Sequence, residues 1–360
     1  MIRLADIIKE NEQPFMEKYG RLLLPGHLNA MNAIKTCRSK LSLKMLVECT
    51  DARCGYKKLL LHSCGNRHCP HCQNHATQAW IDKQMQKLLP TTYFLITFTL
   101  PAQLRQITWY YQRIIYSFFF KCAWETIKTF AYNDKKLGGR AGAIAVMHTH
   151  SRELNFHPHI HIVMPAATIT EKQGLWANKT GKYLFNEKAL AKVFRAKMLQ
   201  AFNDNNLSIP AQYPEDWIAH CKEVGKGHKA LLYLGQYLYR GVISEKNIVS
   251  SKNGMVTFKY KNNKTNTWNF KTMPAVDFIW LIIRQVLPKG FRRARNFGFL
   301  HPNCKRLIRL IQYLYRITPV AWEAIKKQPK KITCPCCGAQ MKIVQVALPS
   351  GFRLPIPKTA

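Results

Sequence analysis

The stretch FHPHIHIV, residues 156–163, sets His157, His159 and His161 at alternate positions among apolar residues. Alternate residues of a strand face one side, so the three imidazoles share a face while Phe156, Ile160 and Ile162 share the other. Just upstream, AIAVMHTH ends in His148 and His150. If the two segments form a hairpin turning near Glu153–Leu154, His148 lies opposite His159 and His150 opposite His157, and one side of a sheet carries up to five imidazoles. Two or three imidazoles can hold a divalent cation and leave coordination positions open. A cation held that way orients a phosphate and neutralises charge developing on it. The nucleophile such chemistry needs is offered by KALLYLGQYLYR, residues 229–240. Tyr233 and Tyr237 are four residues apart and share a helical face, whereas Tyr239 points elsewhere. A phenolic oxygen beside a cation-bound phosphate is a workable covalent nucleophile, and a phosphotyrosine keeps the bond energy needed to rejoin a strand.

Thiols are the second chemistry. Five of the twelve cysteines fall between Cys49 and Cys72, and three between Cys334 and Cys337. In a chain without an export signal, such clusters read as metal sites rather than disulfide frameworks. Cys49 and Cys54 make one knuckle, Cys69 and Cys72 a C-x-x-C knuckle, and Cys64 lies between them. Cys37, His27 and His68 are further candidate ligands, with His71 and His75 nearby. One or two zinc ions fit this set, with a structural role in a segment too short and too basic for a core of its own. Spacing alone does not say which ligands share an ion. The C-terminal CPCCG looks like half of a zinc ribbon, with Cys334 and Cys337 as ligands of a second site whose other half is not evident.

The elements that must position these groups can be read coarsely. TTYFLITFTLP, GGRAGAIAVMHTH and FHPHIHIVMP read as strands. LRQITWYYQRIIYSFFFKCAWETIKTFAY, EKALAKVFRAKMLQAFN, HKALLYLGQYLYR and NCKRLIRLIQYLYRI read as helices. Composition divides the chain into a cysteine-rich region 1–90, expected to bind zinc and DNA, a mixed region 91–275 that holds the histidine and tyrosine motifs and is expected to carry the catalysis, and a basic region 276–360. The chain holds 55 Lys+Arg against 19 Asp+Glu, a formal net charge of +36, and from Ile279 onward there are sixteen Lys or Arg and a single acid, Glu323. An excess of this size calls for a polyanionic partner, and nucleic acid fits because phosphate contacts dominate such binding. No run of apolar residues is long enough to span a membrane, so a membrane partner is not expected and a cytoplasmic, nucleoid-associated protein is.

Together these motifs resemble a known family. His159-Ile160-His161, followed by a Tyr-x3-Tyr helix, is similar to the HUH endonucleases of the two-tyrosine class. SCGNRHCPHCQ, YFLITFTLPAQLR, VMHTHSRELNFHPHIHIVMP, YLGQYLYRGVIS and LPKGFRRARNFGFL narrow the resemblance to bacterial rolling-circle insertion-sequence transposases. The resemblance implies an α+β fold with a central antiparallel sheet flanked by helices, preceded by a zinc-binding domain and followed by a basic helical region. It implies that a tyrosine attacks single-stranded or hairpin DNA at an element's end, leaving a 5′-phosphotyrosine and a free 3′-OH. Magnesium or manganese would sit on His159 and His161, with His148 as third ligand and His157 as the alternative. Tyr233 and Tyr237 would be the nucleophiles, and Arg240, Arg292, Arg293 and Arg295 would contact DNA. A replication initiator or relaxase of the same class shares the histidines and tyrosines. A zinc-dependent DNA-binding protein without catalysis explains the charge and cysteines but leaves the His strand and Tyr pair unexplained. The sequence is open between monomer and dimer.

Overall fold

The computed structural model describes residues 2–72, 74–170, 176–238, 242–262, 265–316 and 332–347, with the side chains at 74, 75, 236, 237 and 347 outside the description. Three short helices, α1 (Leu4–Glu10), α2 (Glu12–Tyr19) and α3 (Pro25–Thr36), lead into β1 (Lys44–Cys49), β2 (Lys57–Leu61) and α4 (Asn74–Met85). Then come β3 (Tyr93–Thr99), α5 (Arg105–Tyr110), the long α6 (Gln112–Asn133), β4 (Arg140–His150), β5 (Phe156–Pro165), β6 (Ala167–Ile169) and β7 (Trp176–Asn178). The chain continues through α7 (Glu187–Asp204), β8 (Ile218–Glu223), α8 (His228–Leu238), β9 (Ile248–Lys252), β10 (Met255–Lys261) and β11 (Trp268–Pro274). It closes with α9 (Ala275–Ile283), β12 (Ala294–Gly298), α10 (Lys305–Leu314) and β13 (Met341–Ala347).

The fold is α+β around an antiparallel sheet of order β7-β6-β4-β5-β3-β8, with β12 added along the same edge of β4 that β6 uses. Alternation decides what each face carries. Ala141, Ala143, Ala145 and Met147 of β4, with Ile160, Ile162 and Met164 of β5, pack with Phe119 and Ile127 of α6 and Phe194 and Met198 of α7. Their neighbours Ile144, Val146 and Val163 point the other way, against Leu231 and Leu234 of α8 and Ile81 of α4. Because both faces are covered, β4 is apolar almost throughout, and each large side chain it buries adds about 1.5–3 kcal/mol. The polar exceptions on the α8 side are the histidines. At Gly235 a Cβ would stand 2.3 Å from Ile81 Cγ1, so only glycine lets α8 approach α4 this closely.

The N-terminal helices do not stand alone. Leu4, Ile8, Phe15 and Ile34 share one core with Val256 and Phe258 of β10 and with Phe278, Ile279 and Ile282 of α9. Glu245 fastens this assembly, accepting from Leu4 N–H at 2.8 Å with one carboxylate oxygen and meeting His71 Nε2 at 2.8 Å with the other. Residue 275 therefore is not a break in the packing: α9 joins the N-terminal core and β12 the central sheet. Two smaller antiparallel sheets accompany it: β11-β10-β9, and β13-β1-β2, which brings together strands far apart in sequence, with Lys44 paired to Ala347 and Cys49 to Met341. Helices of seven to twelve residues are marginal on their own, which is why α1–α3 need α9 to bury their apolar sides.

Candidate active site and metal centres

β4 and β5 bring His148, His159 and His161 together. The strands pair His148 with His159 and Val146 with His161, so all three imidazoles stand on the α8 side of the sheet. Their rings lie 4.5–5.1 Å apart and their candidate ligand atoms all fall within 4.8 Å of one another. Past His148 a bulge shifts the register, so His150 pairs with Phe156 and not with His157, and the row of five does not form. The turn itself closes at Ser151–Asn155, with Leu154 in the left-handed region at φ +67°.

Hydrogen bonds aim the rings. His159 Nδ1 donates to the His157 carbonyl at 2.7 Å, and His161 Nδ1 meets Thr97 Oγ1 at 2.8 Å across the β3–β5 pairing. Both contacts leave Nε2 for a ligand, the arrangement that orients metal-binding histidines. Burial pushes His159 down to about 4 and His161 to about 3, and it holds His148 well below the ordinary imidazole range, reinforced by the neighbouring rings. Neutral imidazoles are what a cation needs. His157 lies outside the group because Arg105 Nη2 donates to its Nδ1 at 2.8 Å. The donor set thus fits a divalent cation on three imidazoles.

Tyr233 of α8 faces this group, its ring centroid 5.7 Å from that of His161 and 6.2 Å from that of His148. Tyr233 and the histidines line a cleft of about 490 Å³ whose far wall is Lys259, Lys261 and Trp268 of the β10–β11 hairpin. Trp268 is 54% exposed, with the Lys259 ammonium 5.3 Å from its ring centre. The Tyr237 side chain and all of Arg240 lie outside the described residues; the backbone at 237 belongs to α8.

The thiols separate into two groups of four. Cys37, Cys64, Cys69 and Cys72 form one; Cys49, Cys54, Cys334 and Cys337 form the other. No cysteine is in a disulfide, and sulfur pairs stand 3.4–3.7 Å apart. Four thiolates at about 2.3 Å around one zinc would be about 3.8 Å apart, so both groups fit zinc. The other half of CPCCG is thus the Cys49–Cys54 knuckle, nearly three hundred residues away. His27 and His68 join neither group: His27 Nδ1 accepts from Leu24 N–H at 3.1 Å with its ring against Trp109, and His68 is buried.

The three arginines after α9 part company. Arg292 is exposed. Arg295 lies over Phe120, its guanidinium 4.4 Å from the ring centre. Arg293 is 7% exposed, donates to the Leu238 carbonyl at 3.5 Å, and burial lowers it to about 10. Thr97, Arg105, Lys259, Lys261 and Trp268 belong to the site without a motif to announce them. The alternation of Thr97 and Thr99 in β3 was the one visible signal.

Two family models match the chain. Residues 142–307 match the one described as "Putative transposase", and residues 7–100 the one described as "Transposase zinc-binding domain". The first span holds the histidine strands and the tyrosine helix; the second holds six of the eight grouped cysteines. The protein is a transposase, of the class that cleaves DNA. More particularly, it is similar to the transposases of the IS91 and IS801 insertion elements. It is 29% identical over 320 residues to "Putative transposase y4qJ" of Sinorhizobium fredii, covering 82% of this chain and 80% of that protein. It is also 29% identical over 278 residues to the "Transposase for insertion sequence element IS801" of Pseudomonas savastanoi pv. phaseolicola, covering 70% of this chain and 65% of that protein. Among solved structures, the conjugative relaxase TrwC in complex with mutant OriT DNA is similar over 35% of this chain and 48% of that chain, at 17% identity and a TM-score of 0.25. Among the described residues no helix is long and apolar enough to cross a membrane.

Proposed function

We propose that the transposase nicks and rejoins single-stranded DNA at its element's ends, in the bacterial cytoplasm at the nucleoid, with Tyr233 as a covalent nucleophile. The observation that carries this reading is Tyr233 on α8 facing three neutral, converging imidazoles across one cleft. His148, His159 and His161 would hold magnesium or manganese, which when bound orients the phosphate and offsets its developing charge. The Tyr233 oxygen attacks phosphorus and gives up its proton to solvent. The bond from phosphorus to the 3′-oxygen breaks, leaving a 3′-OH on one strand end and a 5′-phosphotyrosine on the other. Rejoining is the reverse attack by a 3′-OH, which returns the phenol. Lys259 and Lys261 neutralise flanking phosphates, and the exposed Trp268 ring stacks on a base, a contact only an unpaired strand offers. Tyr237, one helical turn from Tyr233, is the second nucleophile.

The test is an end-labelled single-stranded oligonucleotide carrying the element's end, incubated with magnesium and run on a denaturing gel. Wild type gives a covalent adduct. Tyr233→Phe gives none while keeping its affinity for the strand, and His159→Ala with His161→Ala does the same. Full adduct from Tyr233→Phe refutes the assignment of the nucleophile. A wild type that binds the strand and never forms an adduct refutes the covalent mechanism.

A further inference from the structure

A second feature stands apart from the cleft. Where α5 meets α6, Tyr110 and Tyr111 are 69% and 48% exposed, although the same aromatic run is buried from Tyr116 to Phe120. Both tyrosines and Trp109 line a cavity of about 990 Å³, floored by the turn before α3 and the loop around Arg67. A neighbouring cavity of about 900 Å³ lies between α4, the start of α6 and β12. The two share Arg113, Lys289 and Gly290, so they form one continuous path. Lys83, Arg113, Lys289 and Arg292 are exposed along it, and among the described residues no Asp or Glu lines either cavity. The Arg113 guanidinium donates to the Lys289 carbonyl at 3.0 Å, which holds the shared rim in place. In the second cavity Asn296 donates to the Gln84 side chain at 3.1 Å, leaving amide donors and acceptors for a base edge.

Exposed aromatic rings followed by a file of cations, with no opposing charge, are what a single strand requires. Bases stack on the rings while the backbone follows the cations. A duplex hides its base faces and gains nothing from Tyr110 and Tyr111. Each cavity is also at the upper end of the roughly 300–1,000 Å³ typical of small-ligand pockets, so each has room for a base with its sugar.

We propose that this path is a second binding track for single-stranded DNA, separate from the histidine cleft. It rests on the reading that single-stranded DNA is the substrate. Affinities of the full chain for one sequence, as single-stranded DNA, as duplex and as RNA, are measured by fluorescence anisotropy over a salt series. Replacing both Tyr110 and Tyr111 by Ala weakens single-strand binding by about thirtyfold or more, at about 1–3 kcal/mol for each stacked base, and leaves duplex binding unchanged. Replacing both by Phe keeps wild-type affinity, which separates stacking from a folding defect. Replacing Arg113 and Lys289 by Ala lowers the single-strand salt slope by about 1.4, at about 0.7 for each phosphate no longer neutralised. Unchanged single-strand affinity in the double Ala variant overturns the track. So does an equal loss on duplex, or wild-type preference for RNA over DNA. If the affinities behave as stated but wild type forms no adduct, the covalent mechanism fails and the track stands. If the adduct forms and the affinities do not move, the track alone fails.

Discussion

Gly235→Ala tests whether the approach of α8 to α4 sets the nucleophile. The added methyl would lie 2.3 Å from Ile81 Cγ1 and 2.6 Å from Ile81 Cδ1. Carbon atoms pack comfortably at about 3.5–4.0 Å, so the helices must separate by more than about 1 Å or Ile81 must leave its rotamer. Ile81 is 5% exposed and packed into the core beneath α8, which leaves it little room to swing. Overpacking of this kind costs about 1–3 kcal/mol, against about 1 kcal/mol that alanine returns through helix preference. Net destabilisation is therefore small, about 2 kcal/mol at most. The rate is another matter. Tyr233 sits two residues away on the same helix, and a misplacement of about 1 Å costs about a hundredfold. The assay is initial rates of adduct formation beside urea unfolding, for Gly235→Ala, Ile81→Ala and the pair. Ile81→Ala alone loses about 2–5 kcal/mol. In the pair the new methyl fills vacated space, so the cycle should show a favourable coupling of at least about 1 kcal/mol and a partly restored rate. A Gly235→Ala protein with wild-type rate and stability, or a cycle with no coupling, refutes the reasoning.

Two further outcomes follow from the metal groups and the buried histidines. Native mass spectrometry should count two zinc ions per chain, falling to one in Cys334→Ser/Cys337→Ser; a variant that keeps both would refute the pairing with Cys49 and Cys54. Protein with no divalent cation added should lose stability as pH falls from about 6.5 toward 4, because His159 at about 4 and His161 and His150 at about 3 resist protons that the unfolded chain accepts near 6.5. Stability is fully present above pH 6.5, and each histidine removes about 2 kcal/mol at pH 5; an unfolding midpoint that stays level from pH 7.5 to 5 would refute it.

How much of this was legible depends on the range of the signal. The facing of His159 and His161 could be read because a two-residue period needs no partner to define it. His148 against His159 followed from a hairpin with a short turn, but the bulge after His148 has no mark in HTH, and so His150 slipped from its expected place. The cysteine groups illustrate the opposite limit. Spacing reports only neighbours in sequence, while Cys54 and Cys334 meet because β1 and β13 pair from opposite ends of the chain. Composition likewise set region 276–360 apart by its charge. The apolar stripe of α9 and the strand β12 went instead to the N-terminal core and the central sheet, since burial follows partner surfaces and not net charge.

Arg293 carries that lesson into the mechanism. In FRRARNFGFL it is indistinguishable from its neighbours, one more cation for DNA. In the fold its carbonyl accepts from Met147 N–H at 2.9 Å, one residue before His148, and its guanidinium donates to the Leu238 carbonyl of α8 at 3.5 Å. Its positive charge contributes to holding His148 and His150 neutral. One residue thus ties the strand that carries His148 to the helix that carries Tyr233, and it helps keep His148 neutral. That is a positioning role inside the protein, whereas the neighbouring Arg292 is exposed.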